Sequence, residues 1–339
     1  MRLRRTALTA AAGLCALAGA GVAIPAVSSV SASVQKYPVP WTFAAAIPAG
    51  AQDGPDVPPP GASTIAQPCT GSAAHPDPVV LVHGLGGDEN DNWQTIAPFL
   101  YDEGYCVYAL TYGNDASAPS PFDKFGGLAD MSQTAKVLAS FVQQVLIASH
   151  ASKVDIVGHS EGGTMPDWYL KFDGGVDYVD HFVALSGVLH GTTFWGLGDL
   201  YALSQAYPSY SSQFNQFESR YCQSCEEFLP TSPWMENLDS TAITGAAPVC
   251  SADGADVLGV QYTSVATNND ELVRPPTSDF LNPACGNTHN ILVQQQCLTD
   301  QADHISVAAD PMVAQDILNA LDPAEARPVH CVVVLPAVG

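Results

Sequence analysis

The sequence predicts an α/β protein: one mostly parallel central sheet, helices on both of its faces, and a helical cap inserted over it. Three observations carry this. A short continuous apolar run at 79–82 and β-rich stretches at 105–110, 154–157, 178–185 and 257–265 read as strands of a buried sheet. Segments with helical spacing alternate with them, and that alternation favours parallel strands joined by crossovers. Residues 190–250 break the pattern. They are rich in Tyr, Ser and Gln and read as a cap.

The elements follow in order. Residues 1–32 read as an export signal. Arg2, Arg4 and Arg5 precede an Ala-rich apolar run, and Val30-Ser31-Ala32 fits a signal-peptidase site. Residues 33–78, rich in Pro, Ala and Gly, read as an extended leader on the surface. The main domain spans 79–321. A helix is expected over 92–102. Another spans 128–149, where Leu128, Met131, Ala135, Leu138, Val142 and Val145 share one face. A third follows residue 163 to about Phe172. Cys285 and Cys297 fall in a loop, residues 310–321 form the last helix, and 322–339 are a tail.

Charge and cysteines bound the class. Lys and Arg total 11 against 34 Asp and Glu, a net charge of −23, so no nucleic-acid partner is expected. No integral membrane segment remains once the signal is removed, and a monomer is expected. Of nine cysteines, Cys15 lies in the signal. The even number left in an exported chain points to disulfides rather than zinc. No metal and no cofactor are expected.

The chemistry concentrates at Gly158-His159-Ser160-Glu161-Gly162, between an apolar strand and a helix. A sharp strand-to-helix turn there holds the serine in a strained conformation and needs small residues two before and two after it. A serine hydroxyl is a weak nucleophile without a base, and the base needs an acid to fix its tautomer. His304, just before the last helix, is the favoured base over His289 and His330. Asp270, at the end of a strand, is the favoured acid over Glu271. Asp303 is set aside because it cannot easily aim at its neighbour's ring. The developing oxyanion needs two backbone amides. Those of Glu161 and of Leu85, in the His83–Gly87 turn, are chosen. Leu189, Phe194, Trp195 and Leu197 are candidates for an apolar acyl-binding groove.

The combination of Val79-Val-Leu-Val-His-Gly-Leu-Gly-Gly87, Asn92-Trp93, Gly104-Tyr-Cys-Val107, the serine turn with Met165-Pro166, His190-Gly-Thr-Thr193 and Asp303-His304 resembles secreted actinobacterial triacylglycerol lipases. These form the class 2 lipase group of the α/β-hydrolase superfamily. The resemblance runs over residues 36–321. It implies an α/β-hydrolase fold and an ester hydrolase acting on lipid or other acyl esters, with a lipid–water interface as a setting. Ser160, Asp270 and His304 would be its triad. It also implies Cys69–Cys106 and Cys285–Cys297 bridges, which leaves Cys222 with Cys225 and Cys250 with Cys331. The chain departs from the family at Glu161, where Gln is usual, and at Asp167, where a basic residue is common. A short-chain carboxylesterase or an acyltransferase would use the same triad, and a non-catalytic binding protein on this fold is the rival from another class.

Overall fold

Six strands form one parallel sheet: β1 (Val79–Val82), β2 (Val107–Leu110), β3 (Val154–His159), β4 (Val179–Leu185), β5 (Gln261–Ala266) and β6 (Thr288–Leu292), in the order β2-β1-β3-β4-β5-β6. The computed structural model describes residues 36–46, 48–49, 56–117, 122–193, 222–241, 245–250, 254 and 256–336. The apolar runs make the central strands because their residues alternate between two cores. Val80, Val82, Tyr108 and Phe182 face one side, with α2 (Met131–Ser149) and α3 (Met165–Phe172). Val79, Leu81, Val107 and Val183 face the other, with α1 (Ile96–Asp102) and α5 (Pro311–Leu321).

Helix starts follow capping chemistry. Asp130 accepts from the Gln133 amide at 3.0 Å to begin α2, and Asp310 accepts from Met312 at 2.7 Å to begin α5. The predicted helices and strands are present with trimmed ends. Residues 257–260 precede β5 rather than joining it, and α1 starts at Ile96. One strand is new. Thr288–Leu292 occupies the stretch read as a loop, pairing Ile291 with Val265 at the sheet edge. An edge strand is covered on fewer sides and tolerates polar residues, so it lacks the apolar signature.

That strand overturns two disulfide expectations. Cys285 precedes β6 and Cys297 follows it, so they lie at opposite ends of an extended segment, beyond the reach of one bridge. The bridges are Cys250–Cys285 and Cys297–Cys331, with Cα separations of 5.8 and 5.1 Å, in place of Cys285–Cys297 and Cys250–Cys331. Cys69–Cys106 and Cys222–Cys225 are bonded as expected.

The flanking segments are tied down. In the leader, the Tyr37 amide donates to Asp102 at 2.9 Å and Thr95 Oγ1 donates to the Pro40 carbonyl at 2.6 Å. In the tail, Gln301 N donates to Val334 O at 3.0 Å, next to the Cys297–Cys331 bridge. Within the cap region, the described residues include the helical turn Ser224–Glu227 and α4 (Pro233–Asp239), which Ser232 caps and Pro233 starts. Lys171 of α3 is buried and fixes the end of α4. Its ammonium donates to the carbonyls of Leu238, Asn237 (3.3 Å), Ser240 (2.7 Å) and Gly254 (2.6 Å). A cation at a helix C-terminus meets carbonyls that no backbone amide satisfies. Asp167, one turn earlier, is pushed up to about 8 by burial and accepts from the Tyr262 hydroxyl at 2.8 Å. Among the described residues no helix is long and apolar enough to cross a membrane.

Candidate active site

Ser160 leaves β3 on a tight turn with φ of +56°. The flanking glycines are steric necessities. A Cβ on Gly158 would lie 1.7 Å from the Gly162 carbonyl oxygen, and one on Gly162 would lie 2.0 Å from that of Val82. The turn lifts Ser160 Oγ to the carboxyl edge of the sheet, where the loops after β5 and β6 also end. His304 Nε2 is 2.9 Å from Ser160 Oγ. On the far side of the ring, Nδ1 is 2.9 and 3.1 Å from the two oxygens of Asp270. The structure brings these three side chains together.

Asp270 is well held. Its Oδ1 accepts from the amides of Leu272 (2.9 Å) and Val273 (2.7 Å). Burial pushes this carboxyl up, but the hydrogen bond and charge of His304, with the Val273 amide, outweigh it and leave it below its ordinary range. Asp303 folds onto its own turn and accepts from Ser306 N and Oγ at 2.9 and 2.7 Å. His289 is exposed on β6, paired with Thr263, and His330 lies in the tail.

Sequence reasoning gave no role to His159. It is buried, with Nε2 2.7 Å from the His304 carbonyl oxygen, so it braces the backbone of the His304 loop. Burial first, then the neighbouring His304, lowers it to about 3 and keeps it neutral. Its place inside the serine motif was the available signal.

The His83–Gly87 turn faces Ser160, and a Cβ on Gly84 would lie 2.9 Å from that of Ser160. Three of its amides are committed: Gly84 to Asn92 Oδ1 (3.1 Å), Gly86 to Gly126 O (2.9 Å) and Gly87 to Gly84 O (3.1 Å). The Leu85 amide makes no hydrogen bond among the described residues. His83 is neutral, lowered to about 4 by burial. It donates through Nδ1 to Gly84 O at 2.8 Å and accepts from Tyr112 N at 3.3 Å.

A cavity of about 300 Å³ opens onto Ser160 and His304. Phe43, Leu85, Val188, Phe228, Leu272, Val273 and Ile305 give it an apolar wall. Apart from Leu85, chosen for its amide, and Phe43, which begins a 3-10 turn, these side chains come from loops with no periodicity to mark them in the sequence. Leu189 is buried in the core and does not line the cavity. Phe194, Trp195 and Leu197 lie outside the described residues. Cys250, Asp256 and Cys285 are the one grouping of metal-ligand types among the described residues, and both sulfurs are bonded to each other.

A parallel sheet with its serine on a strained turn after a central strand, and histidine and acid on later loops, is the α/β-hydrolase arrangement. Within that fold, residues 76–240 match the family model of the class 2 lipases. The chain is 34% identical over 91 residues to a triacylglycerol lipase of Pseudarthrobacter phenanthrenivorans, covering 25% of each chain. A triacylglycerol lipase of Burkholderia plantarii is likewise 34% identical over 91 residues, covering 25% of this chain and 23% of that one. The match thus spans about a quarter of the length of these relatives. Lipase B of Aspergillus fumigatus shares the fold, with a TM-score of 0.55 at 18% identity over 84% of this chain and 67% of that one.

Proposed function

We propose that this protein is an exported serine ester hydrolase that cleaves acyl esters, including triacylglycerols, through an acyl-enzyme on Ser160. The observation that carries the reading is the continuous Ser160–His304–Asp270 hydrogen-bonded line on the wall of an apolar cavity. His304 takes the Ser160 proton as Oγ attacks the ester carbonyl. Asp270 holds the ring with Nδ1–H toward itself and stabilises the imidazolium. The Leu85 and Glu161 amides receive the negative charge on the carbonyl oxygen. His304 then protonates the departing alcohol, and a water activated by the same ring releases the acid. The acyl chain packs on Val188, Phe228, Leu272 and Ile305.

Export rests on residues 1–32 as a cleaved signal and is supported by the four disulfides. Mass spectrometry of the protein recovered from medium tests it: the mature chain should begin at Ser33.

The decisive assay is hydrolysis of p-nitrophenyl acetate, octanoate and palmitate by the oxidised protein, beside Ser160→Ala. Turnover by the parent and its near-complete loss in the variant support the reading, and the chain-length profile separates lipase from short-chain esterase. A folded, oxidised protein inert on all three overturns it.

A further inference from the structure

Glu161 is fully buried beside the nucleophile, and neither of its oxygens has a hydrogen-bond donor among the described residues. Two hydroxyls lie near it, those of Tyr112 and Ser224, and protons donated from them would favour the ionised carboxylate. Each has already committed its proton. Tyr112 Oη donates to the His83 carbonyl at 2.8 Å, and Ser224 Oγ donates to the Gly127 carbonyl at 2.6 Å. A hydroxyl in that state offers only lone pairs. Glu161 can bond to either in one way, by donating a proton of its own. An ionised carboxylate would instead face lone pairs in a buried site and carry an unpaired charge.

The ionisable surroundings agree. Burial first, then the negative charge of Glu227 on the cap turn, pushes the Glu161 carboxyl well above its ordinary range. Glu227 is itself pushed up to about 8, by burial first, with Asp130 and Glu226 adding to it. The loops after β1 and β2 supply neutral His83 and Tyr112, whose rings stack at 4.3 Å.

Residues 126–128 lie between Glu161 and the oxyanion turn. A Cβ on Gly127 would be 3.0 Å from Leu85 Cα and 3.2 Å from both Glu161 oxygens. Gly126 exchanges two backbone hydrogen bonds of 2.9 Å with Gly86 and Gly87. On its outer side the segment is gripped by the cap turn, where Gln223 N donates to Leu128 O at 2.7 Å and Ser224 Oγ holds Gly127.

We propose that Glu161 works as a neutral carboxylic acid, its proton tying the serine turn to Ser224 and, through Gly127, fixing the Leu85 and Glu161 amides toward the oxyanion. Glu161 is thus a positioning residue through its side chain, and Ser224 is its partner. The inference rests on the ester-hydrolase reading. It adds a condition to it: when Glu161 ionises, the tie is lost and oxyanion stabilisation weakens.

The test is the pH dependence of kcat and KM for tributyrin in a pH-stat, from about pH 7 to about pH 10, for the parent and Glu161→Gln. Glutamine keeps the shape and an N–H donor at every pH. The parent should lose about tenfold in kcat along an alkaline limb, with KM within about twofold, and E161Q should lack that limb. Circular dichroism over the same range reports folding separately. An infrared difference spectrum, parent minus E161Q at about pH 8, should show a protonated carboxyl band. Ser224→Ala should lower kcat by about tenfold at about pH 7 and shrink the alkaline limb, and Ser224→Thr should restore both. If E161Q keeps the parent's limb, or the infrared band is absent, the proposal falls while the hydrolase reading stands. If the folded parent cleaves no ester, both fall.

Discussion

The two sides of Ser160 are supported by different means. On the histidine side the loop carrying His304 is held by carboxylates. Asp270 grips the ring, Asp303 folds the turn, and Asp310 caps the next helix. On the oxyanion side the support is largely main chain against main chain: Gly86 and Gly87 exchange hydrogen bonds with Gly126, and Gly84, Gly126 and Gly127 are packed too closely to take a side chain without a shift. The difference follows from the task. A base must be a side chain with one defined tautomer, and carboxylates impose that. An oxyanion donor must be a fixed amide, and a mesh of backbone hydrogen bonds fixes amides best. Loss of a functional group should therefore cripple one side, and added volume the other.

The largest effect expected on the histidine side is that of Asp270→Asn, on the order of a 10⁴-fold loss in kcat with the fold intact, because the amide favours the wrong imidazole tautomer. Steady-state kinetics with a short ester measure it. A loss below about tenfold would mean that the acid is not what orients His304. The matching break on the oxyanion side is Gly126→Ala. Its Cβ would lie 2.5 Å from His83 Cε1 and 2.7 Å from the Gly87 carbonyl oxygen, so the turn must shift. A kcat loss of roughly 10²–10³ is expected with Ser160 still reactive toward a fluorophosphonate, though more slowly. An unchanged kcat would show that this turn does not hold the oxyanion.

Smaller effects sharpen the contrast. Cys331→Ser removes the staple between the tail and Cys297, which precedes the His304 loop. It should cost about 2–3 kcal/mol of unfolding free energy in urea while changing kcat by less than about twofold. A large loss of activity at full stability would mean that the tail sets the loop's geometry. The smallest effect concerns Asp310, which burial first and then Asp300 raise to about 7. Its proton is bound more tightly in the folded than in the unfolded chain, so stability should decline as pH rises from about 4 to about 7. Asp310→Asn keeps the cap and should flatten that slope of Tm against pH. An unaltered slope would assign the titration elsewhere.

Sequence revealed what stereochemistry makes obligatory. The serine turn was legible because two glycines flank it, and the candidate acid and base came from chain order and strand ends. The candidate site became illegible where a role depends on which face a side chain shows. Leu189 faces the core while its neighbour Val188 lines the cavity, and both are plain apolar residues. Cys285 and Cys297 were misread because polar Thr288-His-Asn hides an edge strand between them. The Glu161–Ser224 tie joins residues far apart in the chain, and no local pattern announces such a contact.

Lys171 has a consequence for how the molecule breathes. Its ammonium lies among four carbonyls at the junction of α3 and the end of α4. Lifting α4 away would strip that charge of the carbonyls of Asn237, Leu238 and Ser240 and pull Met235 and Leu238 out of the core. The helix Pro233–Asp239 therefore belongs to the same cooperative unit as the sheet. Its amides should exchange with deuterium on the slow timescale of the core strands, through global unfolding rather than local opening.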